Sequence, residues 1–283
     1  LPGQAELTLI ANVALDRVNH GQPTCGGCPA FAPYAFSRLR AHGVINTACA
    51  ESDLATFECL NSDGAVEFRF LDAETTTRFD LNYSGEFSEQ RTMCLHQIGH
   101  VWTEEDIDRI AADTEWVHLA PLLRSDFPVA TIARLAQRGH RIGYDGQGLV
   151  RVPRIGELAF DAQFEPELLD YLTVLKLSED ETSVIAAEHG QPAVAEIFSR
   201  VPELIFTHGP RGAEVYWEGR VVTVEPDHVV ADVQTTGAGD VFMSAYLIGR
   251  HRGLDPVAAA ALSANVTAAM LTERKDESGG AEP

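Results

Sequence analysis

Thr235-Thr236-Gly237-Ala238-Gly239-Asp240 is the stretch whose residue types and spacing could do chemistry. Two glycines and an alanine let the backbone approach a ligand closely. The apolar run VFMSAYLIGR that follows reads as a helix. Its free N–H groups and positive dipole end would point back at that ligand. Such a helix start suits the charge that develops on a transferring phosphoryl group, with Gly237, Ala238 and Gly239 as the anion hole. Asp240 at the same start can take the proton of an attacking hydroxyl. Positioning, charge stabilisation and a base are what phosphoryl transfer needs. The same residues also make an ordinary helix start, with Asp240 favouring the dipole. The motif alone leaves both readings open.

Thr207-His208-Gly209-Pro210-Arg211-Gly212 is a second glycine-rich turn, placed after the apolar run LIF. It could take nucleotide phosphates on Thr207 and backbone amides, and it also fits a plain turn before a hairpin. Cys25-Gly-Gly-Cys28 has metal or redox spacing, but no second Cys or His pair follows at ligand distance. We read it as two small residues flanking a functional Gly26-Gly27. With five cysteines in a long chain, a disulfide framework is not expected. His96, His100, His118 and His140 form no ligand pair and are assigned to surface or core. Arg151 suits a phosphate or an acidic partner equally.

The elements that must hold these residues follow a βαβα rhythm. Residues 6–14 read as a buried first strand and 29–42 as a helix opened by Pro29. Residues 64–83 alternate and read as a hairpin. Strands follow at 116–120, 141–145, 173–177 and 203–209, separated by helical stretches that include 179–188 and 192–200. A hairpin at 213–226 and two helices at 238–252 and 256–271 complete the pattern. This order implies a mostly parallel sheet covered on both faces. Polar and glycine-rich stretches lie just after the strands, where parallel sheets bind ligands. The polar residues 273–283 are expected to be a disordered tail after one domain over 1–272.

The 283 residues carry a formal net charge of -21. That charge should repel nucleic acid and acidic membrane surfaces. With no apolar run of membrane-spanning length and no signal-peptide pattern, the expected location is the cytoplasm. Lys176 and Lys275 are the only lysines. Residues 11–16 read ANVALD, which lacks the Gly-x-Gly-x-x-Gly turn of a nicotinamide-dependent oxidoreductase.

In this order the motifs resemble those of the ribokinase-like (PfkB) carbohydrate kinases over nearly the whole chain. TTGAGD resembles the C-terminal signature and Thr207-x-Gly209-x-x-Gly212 the nucleotide turn. Asn12-Val-Ala-Leu-Asp16 and Gly26-Gly27 resemble the substrate motifs. Asp145-Gly-Gln-Gly-Leu-Val-Arg151 is similar to a variant among cyclitol- and sugar-kinase-like members, and Lys176–Glu181 resembles the Asn-x-x-Glu region. The resemblance implies a three-layer α/β/α sandwich with a mostly parallel sheet and a small β lid, near 12–20 and 64–83. It implies an ATP-dependent kinase acting on a small neutral sugar, cyclitol or nucleoside. Asp240 would be the base, Thr207, Gly209 and Gly212 would line the nucleotide site, and Glu181 would help hold Mg²⁺. Asn12, Asp16, Gly26 and Gly27 would contact the substrate. A homodimer through the lid is a further expectation. The competing expectation is an inactive sugar- or nucleotide-binding regulator on the same fold; the retained Asp240 speaks against it. Three departures stand out: Ala30-Phe31 in place of an Asn after the di-glycine, Ser178 in place of the Asn before Glu181, and Gln234 in place of an Asp.

Overall fold

Short, mostly apolar runs such as Leu7–Ile10 and Trp116–Leu119 are buried at every position, Thr8 and His118 included. Only a strand flanked by strands and covered on both faces needs such a run. Both lie in the middle of a nine-stranded sheet. The computed structural model describes residues 4–84, 90–110, 114–190, 194, 197, 199–231 and 233–279. Its strands in chain order are β1 (Leu7–Ile10), β2 (Ala14–Val18), β3 (Pro23–Gly26), β4 (Gly43–Cys49), β5 (Val66–Asp72), β6 (Thr77–Ser84) and β7 (Gln90–Gln97). Then come β8 (Trp116–Leu119), β9 (Arg141–Asp145), β10 (Gly156–Glu157), β11 (Val174–Ser178), β12 (Glu203–Thr207), β13 (Ala213–Trp217) and β14 (Arg220–Val224).

The large sheet has the order β14-β13-β12-β11-β9-β8-β1-β4-β5. Its pairs from β12 to β5 are parallel, and β13 and β14 add an antiparallel hairpin at one edge. Helix Val129–Gln137 covers one face through Ile132 and Leu135, in a core with Trp102, Phe127 and Tyr144. Helix Ala238–His251 covers the other through Phe242, Met243, Tyr246 and Leu247, in a core with Phe36 and Trp116. The fold is the expected ribokinase-like three-layer sandwich.

A second sheet, β10-β7-β6-β2-β3, forms the lid. Phe79, Leu81, Leu95, Leu122 and Leu158 pack beneath it. The lid corrects the expected hairpin at 64–83. β5 is not in the lid; it runs parallel to β4 at the edge of the large sheet. The chain then crosses over, and β6 pairs parallel with β2. Alternation reveals a strand but not its partner, and Ala73-Glu74-Thr75-Thr76 lacks the glycine or asparagine of a tight hairpin turn.

The C-terminus differs too. The last helix, Pro256–Gly279, takes in the first seven residues of the expected tail, 273–279. Residues 280–283 lie outside the described residues, as does most of the expected helix 192–200. No helix among the described residues is long and apolar enough to cross a membrane.

Candidate active site

The carboxyl ends of β9, β11 and β12 and the start of helix Ala238–His251 open on one cavity of about 750 Å³. Asp16, Gly27 and Phe31 line it together with Lys176, Gly239 and Asp240 and with Thr207, Gly209 and Gly212. Asp16 and Asp240, 224 positions apart in sequence, thus face one space.

Asp240 sits in the first turn of its helix. Gly237 precedes that helix at φ 80°, a left-handed conformation that glycine adopts without strain. A Cβ on Gly237 would lie 2.2 Å from Phe31 Cγ, so the turn packs directly on the Phe31 ring. The expected anion hole needs one correction. The Ala238 N–H donates to the Thr235 carbonyl at 3.0 Å and is therefore spent within the turn. The N–H groups of Gly237, Gly239 and Asp240 have no backbone partner among the described residues, and those of Gly239 and Asp240 belong to the first helical turn, which leaves them for an anion. Burial, and next the charge of Asp145, push the Asp240 carboxyl up to about 6, against the pull of Lys176 and His118.

Behind Asp240 lies a buried polar chain. Lys176 Nζ stands 2.7 Å from Asp145 Oδ1, and His118 Nε2 stands 2.9 Å from Asp145 Oδ2. Ser244 Oγ is 3.4 Å from His118 Nδ1. The Asp145 carboxyl is held low despite burial, because Lys176 and His118 favour its charge. Cys28, His118 and Asp145 bring three ligand-type atoms within 4.8 Å of one another, yet Lys176 already supplies the cation there. Motif reading missed this chain. By its spacing His118 reads as a surface or core residue, and Lys176 has no role of its own in the motifs. The one available signal was that an arginine-rich chain keeps a lysine at this strand end.

Asp16 of β2 lines the cavity. Gly26 does not line the cavity. A Cβ there would meet Asp16 Oδ2 at 2.0 Å, so Gly26 makes room for the carboxylate instead. Asn12 is a further correction. It is fully buried, donates from Nδ2 to the His100 carbonyl at 2.7 Å, and accepts from Trp102 Nε1 at 3.1 Å. Its amide is consumed in holding loops together. Phe79, Leu81 and Met93 of the lid line the same cavity, as do Leu122 from the segment after β8 and Gln147 and Arg151. The Tyr83 hydroxyl of β6 shares a hydrogen bond with Thr236 Oγ1 at 2.7 Å, joining the lid to the TTGAGD turn.

Thr207 Oγ1 is 3.4 Å from the Leu177 carbonyl. Glu181 lines the cavity and closes a capping box with Ser178, accepting from the Ser178 N–H at 2.8 Å on Oε2. Ser178 therefore caps the helix where the family pattern has Asn. The lining also includes an apolar slot of Pro226, Val229, Ala264, Ala268 and Leu271, with His228 and Thr267 among them. Arg274 Nη1 donates to the Thr236 carbonyl at 2.6 Å and lies over Phe31, 5.6 Å from the ring centroid. Lys275 Nζ donates to the Ala231 carbonyl at 2.8 Å.

A family model, the pfkB family carbohydrate kinases, matches residues 63–282 and so takes in the whole TTGAGD turn and its helix. The chain belongs to the pfkB family. Among solved structures, this pfkB chain is similar to a pyrophosphate-dependent kinase in the ribokinase family, complexed with a pyrophosphate analog and myo-inositol. The two share 25% identity and a TM-score of 0.79, over 94% of each chain. It shares the fold of an Arabidopsis thaliana ribokinase complexed with ribose and ATP, at TM-score 0.69 and 17% identity, over 95% of this chain and 93% of that one. It is 26% identical over 151 residues to an inositol 3-kinase of Oryza sativa subsp. japonica. That match spans 50% of this pfkB chain and 36% of the rice protein.

Proposed function

We propose that this pfkB protein is an ATP-dependent kinase that phosphorylates a hydroxyl of a cyclitol or a related neutral sugar. The observation that carries this reading is one cavity lined by Asp16, by Asp240 and by a set of apolar side chains together with Thr207. These three sets of groups suit an acceptor, a phosphoryl group in transfer and a purine base.

In this reading Asp16 accepts hydrogen bonds from adjacent ring hydroxyls, and Gly27 lets the ring approach the backbone. The Asp240 carboxylate takes the proton of the attacking hydroxyl. That oxygen bonds to the γ-phosphorus as the bond from γ-phosphorus to the bridging oxygen breaks, leaving ADP. The free N–H groups of Gly239 and Asp240 stabilise the equatorial oxygens. The carboxylates of Glu179, Asp180 and Glu181 at the cavity edge are hard oxygen donors of the kind Mg²⁺ takes. Glu181 would hold it through the oxygen that the capping box leaves. When bound, Mg²⁺ would neutralise charge on the β- and γ-phosphates. The lid keeps water from intercepting the phosphoryl group.

A cyclitol is preferred because two relatives act on or bind inositols. A second reading concerns the donor alone. Similarity to a pyrophosphate-dependent kinase favours pyrophosphate. The apolar slot favours ATP, since pyrophosphate has nothing to place there. Donor-labelled transfer assays with ATP and with pyrophosphate, over myo-inositol, ribose, a nucleoside and a sugar phosphate, test both. Highest kcat/KM with ATP and myo-inositol is expected. A sugar phosphate that outcompetes every neutral acceptor would overturn the acceptor assignment, and pyrophosphate outperforming ATP would overturn the donor.

A further inference from the structure

We propose that Lys176 is a catalytic residue whose ammonium contacts the phosphoryl group in transfer and neutralises the charge that develops on it. This rests on the kinase reading above.

Three observations converge on the ammonium. First, Lys176 lines the cavity although only 9% of the residue is exposed. Second, a Cβ on Gly239 would lie 3.1 Å from Lys176 Nζ. The ammonium therefore lies against the turn that carries the free N–H groups, and the absent side chain of Gly239 leaves it open. Third, the Asp145 contact at 2.7 Å uses one of three ammonium donors. The other two are left for oxygens in the cavity.

The electrostatics agree. Burial alone would pull the lysine toward neutrality, but Asp145, Glu181 and Asp240 hold it charged. A buried ion pair is weak evidence of stability, since well-packed apolar residues serve as well or better. The pair is better explained by what it does: it presents a fixed positive charge, already desolvated, where a phosphoryl group must pass. Fixed charges in such a site need no reorganisation during the reaction. His118, on the far oxygen of Asp145, orients the carboxylate that orients Lys176.

The competing role is indirect. Asp240 faces Cys28, Asp145, His118 and Lys176, and Lys176 helps keep Asp240 ionised. Loss of Lys176 would then act only through the base. Kinetics of Lys176→Met and of Lys176→Met/Asp145→Asn, from about pH 5 to about pH 9, separate the two. Removing Lys176 should move the acid limb of kcat to higher pH. Removing Asp145 as well should bring it back, since the two charges act oppositely on Asp240. The expected result is a pH-independent plateau lower by roughly 10²-fold in both variants. The double variant removes the Lys176–Asp145 pair together, so its melting temperature should fall less than that of Lys176→Met alone. A plateau equal to that of the parent at high pH, or full recovery in the double variant, would overturn the proposal. If the parent protein itself transfers no phosphoryl group to any acceptor from either donor, the kinase reading fails, and this proposal with it.

Discussion

Asp240 answers two opposed demands. It must be ionised to act as a base, yet burial and Asp145 push its carboxyl from 3.8 up to about 6. Turnover should therefore fall along an acid limb near 6, and Asp240→Asn should abolish that limb while lowering kcat by roughly 10²–10⁴-fold. The same shift has a stability consequence with a definite sign. A carboxyl whose folded pKa is raised destabilises the fold above its unfolded value, and that penalty vanishes in acid once both states are protonated. Asp240→Asn should thus melt at the same temperature or higher at neutral pH, with no gain at about pH 3. Calorimetry and pH–rate profiles on the two proteins check both parts. A lower melting temperature with intact turnover would leave Asp240 as a helix-start residue only.

At the scale of elements, the TTGAGD turn is held from two sides. Phe31 packs on Gly237 from the first helical segment, and Tyr83 of β6 bonds Thr236 at 2.7 Å from the lid. The Tyr83 contact makes lid closure and the shape of the anion site one event. A single hydrogen bond of this kind nets roughly 0.5–1.5 kcal/mol. Tyr83→Phe should then raise the acceptor KM by about two- to twelvefold and leave the donor KM nearly unchanged. Steady-state kinetics with each substrate varied in turn give the comparison. An unchanged acceptor KM would mean that the lid closes without this bond.

Across the whole molecule, the last helix does more than cover the sheet. Its end ties down the loop between β14 and the TTGAGD turn, through Arg274 to the Thr236 carbonyl and Lys275 to the Ala231 carbonyl. His228 and Val229 of that loop line the cavity. A chain ended after Thr272 should therefore lose donor affinity first, with a raised KM for ATP and a lower melting temperature. The milder Arg274→Ala should show the same direction with a smaller loss. Truncation that leaves both quantities unchanged would return residues 273–279 to the status of a dispensable tail.

The sequence by itself determined the βαβα order, the parallel sheet and the helix start at Asp240. These depend on local patterns: apolar runs of strand length, and small residues before an amphipathic helix. It also determined the family, because the motifs come in one order along the chain. Other features depend on partners remote in sequence. Asn12 looked like a substrate ligand because it follows the first strand, but Trp102, 90 residues away, claims its side chain. The Ala238 amide was lost to a carbonyl only three residues back, a detail of turn geometry that residue types do not specify. β5 and β6 read as one hairpin until their neighbours β4 and β2 divided them between two sheets. The chain of His118, Asp145 and Lys176 joins three separate strands, and no local pattern marks it. Spacing along the chain records what a segment can form; which distant group meets a side chain, and what charge that side chain then keeps, is set only when the layers pack.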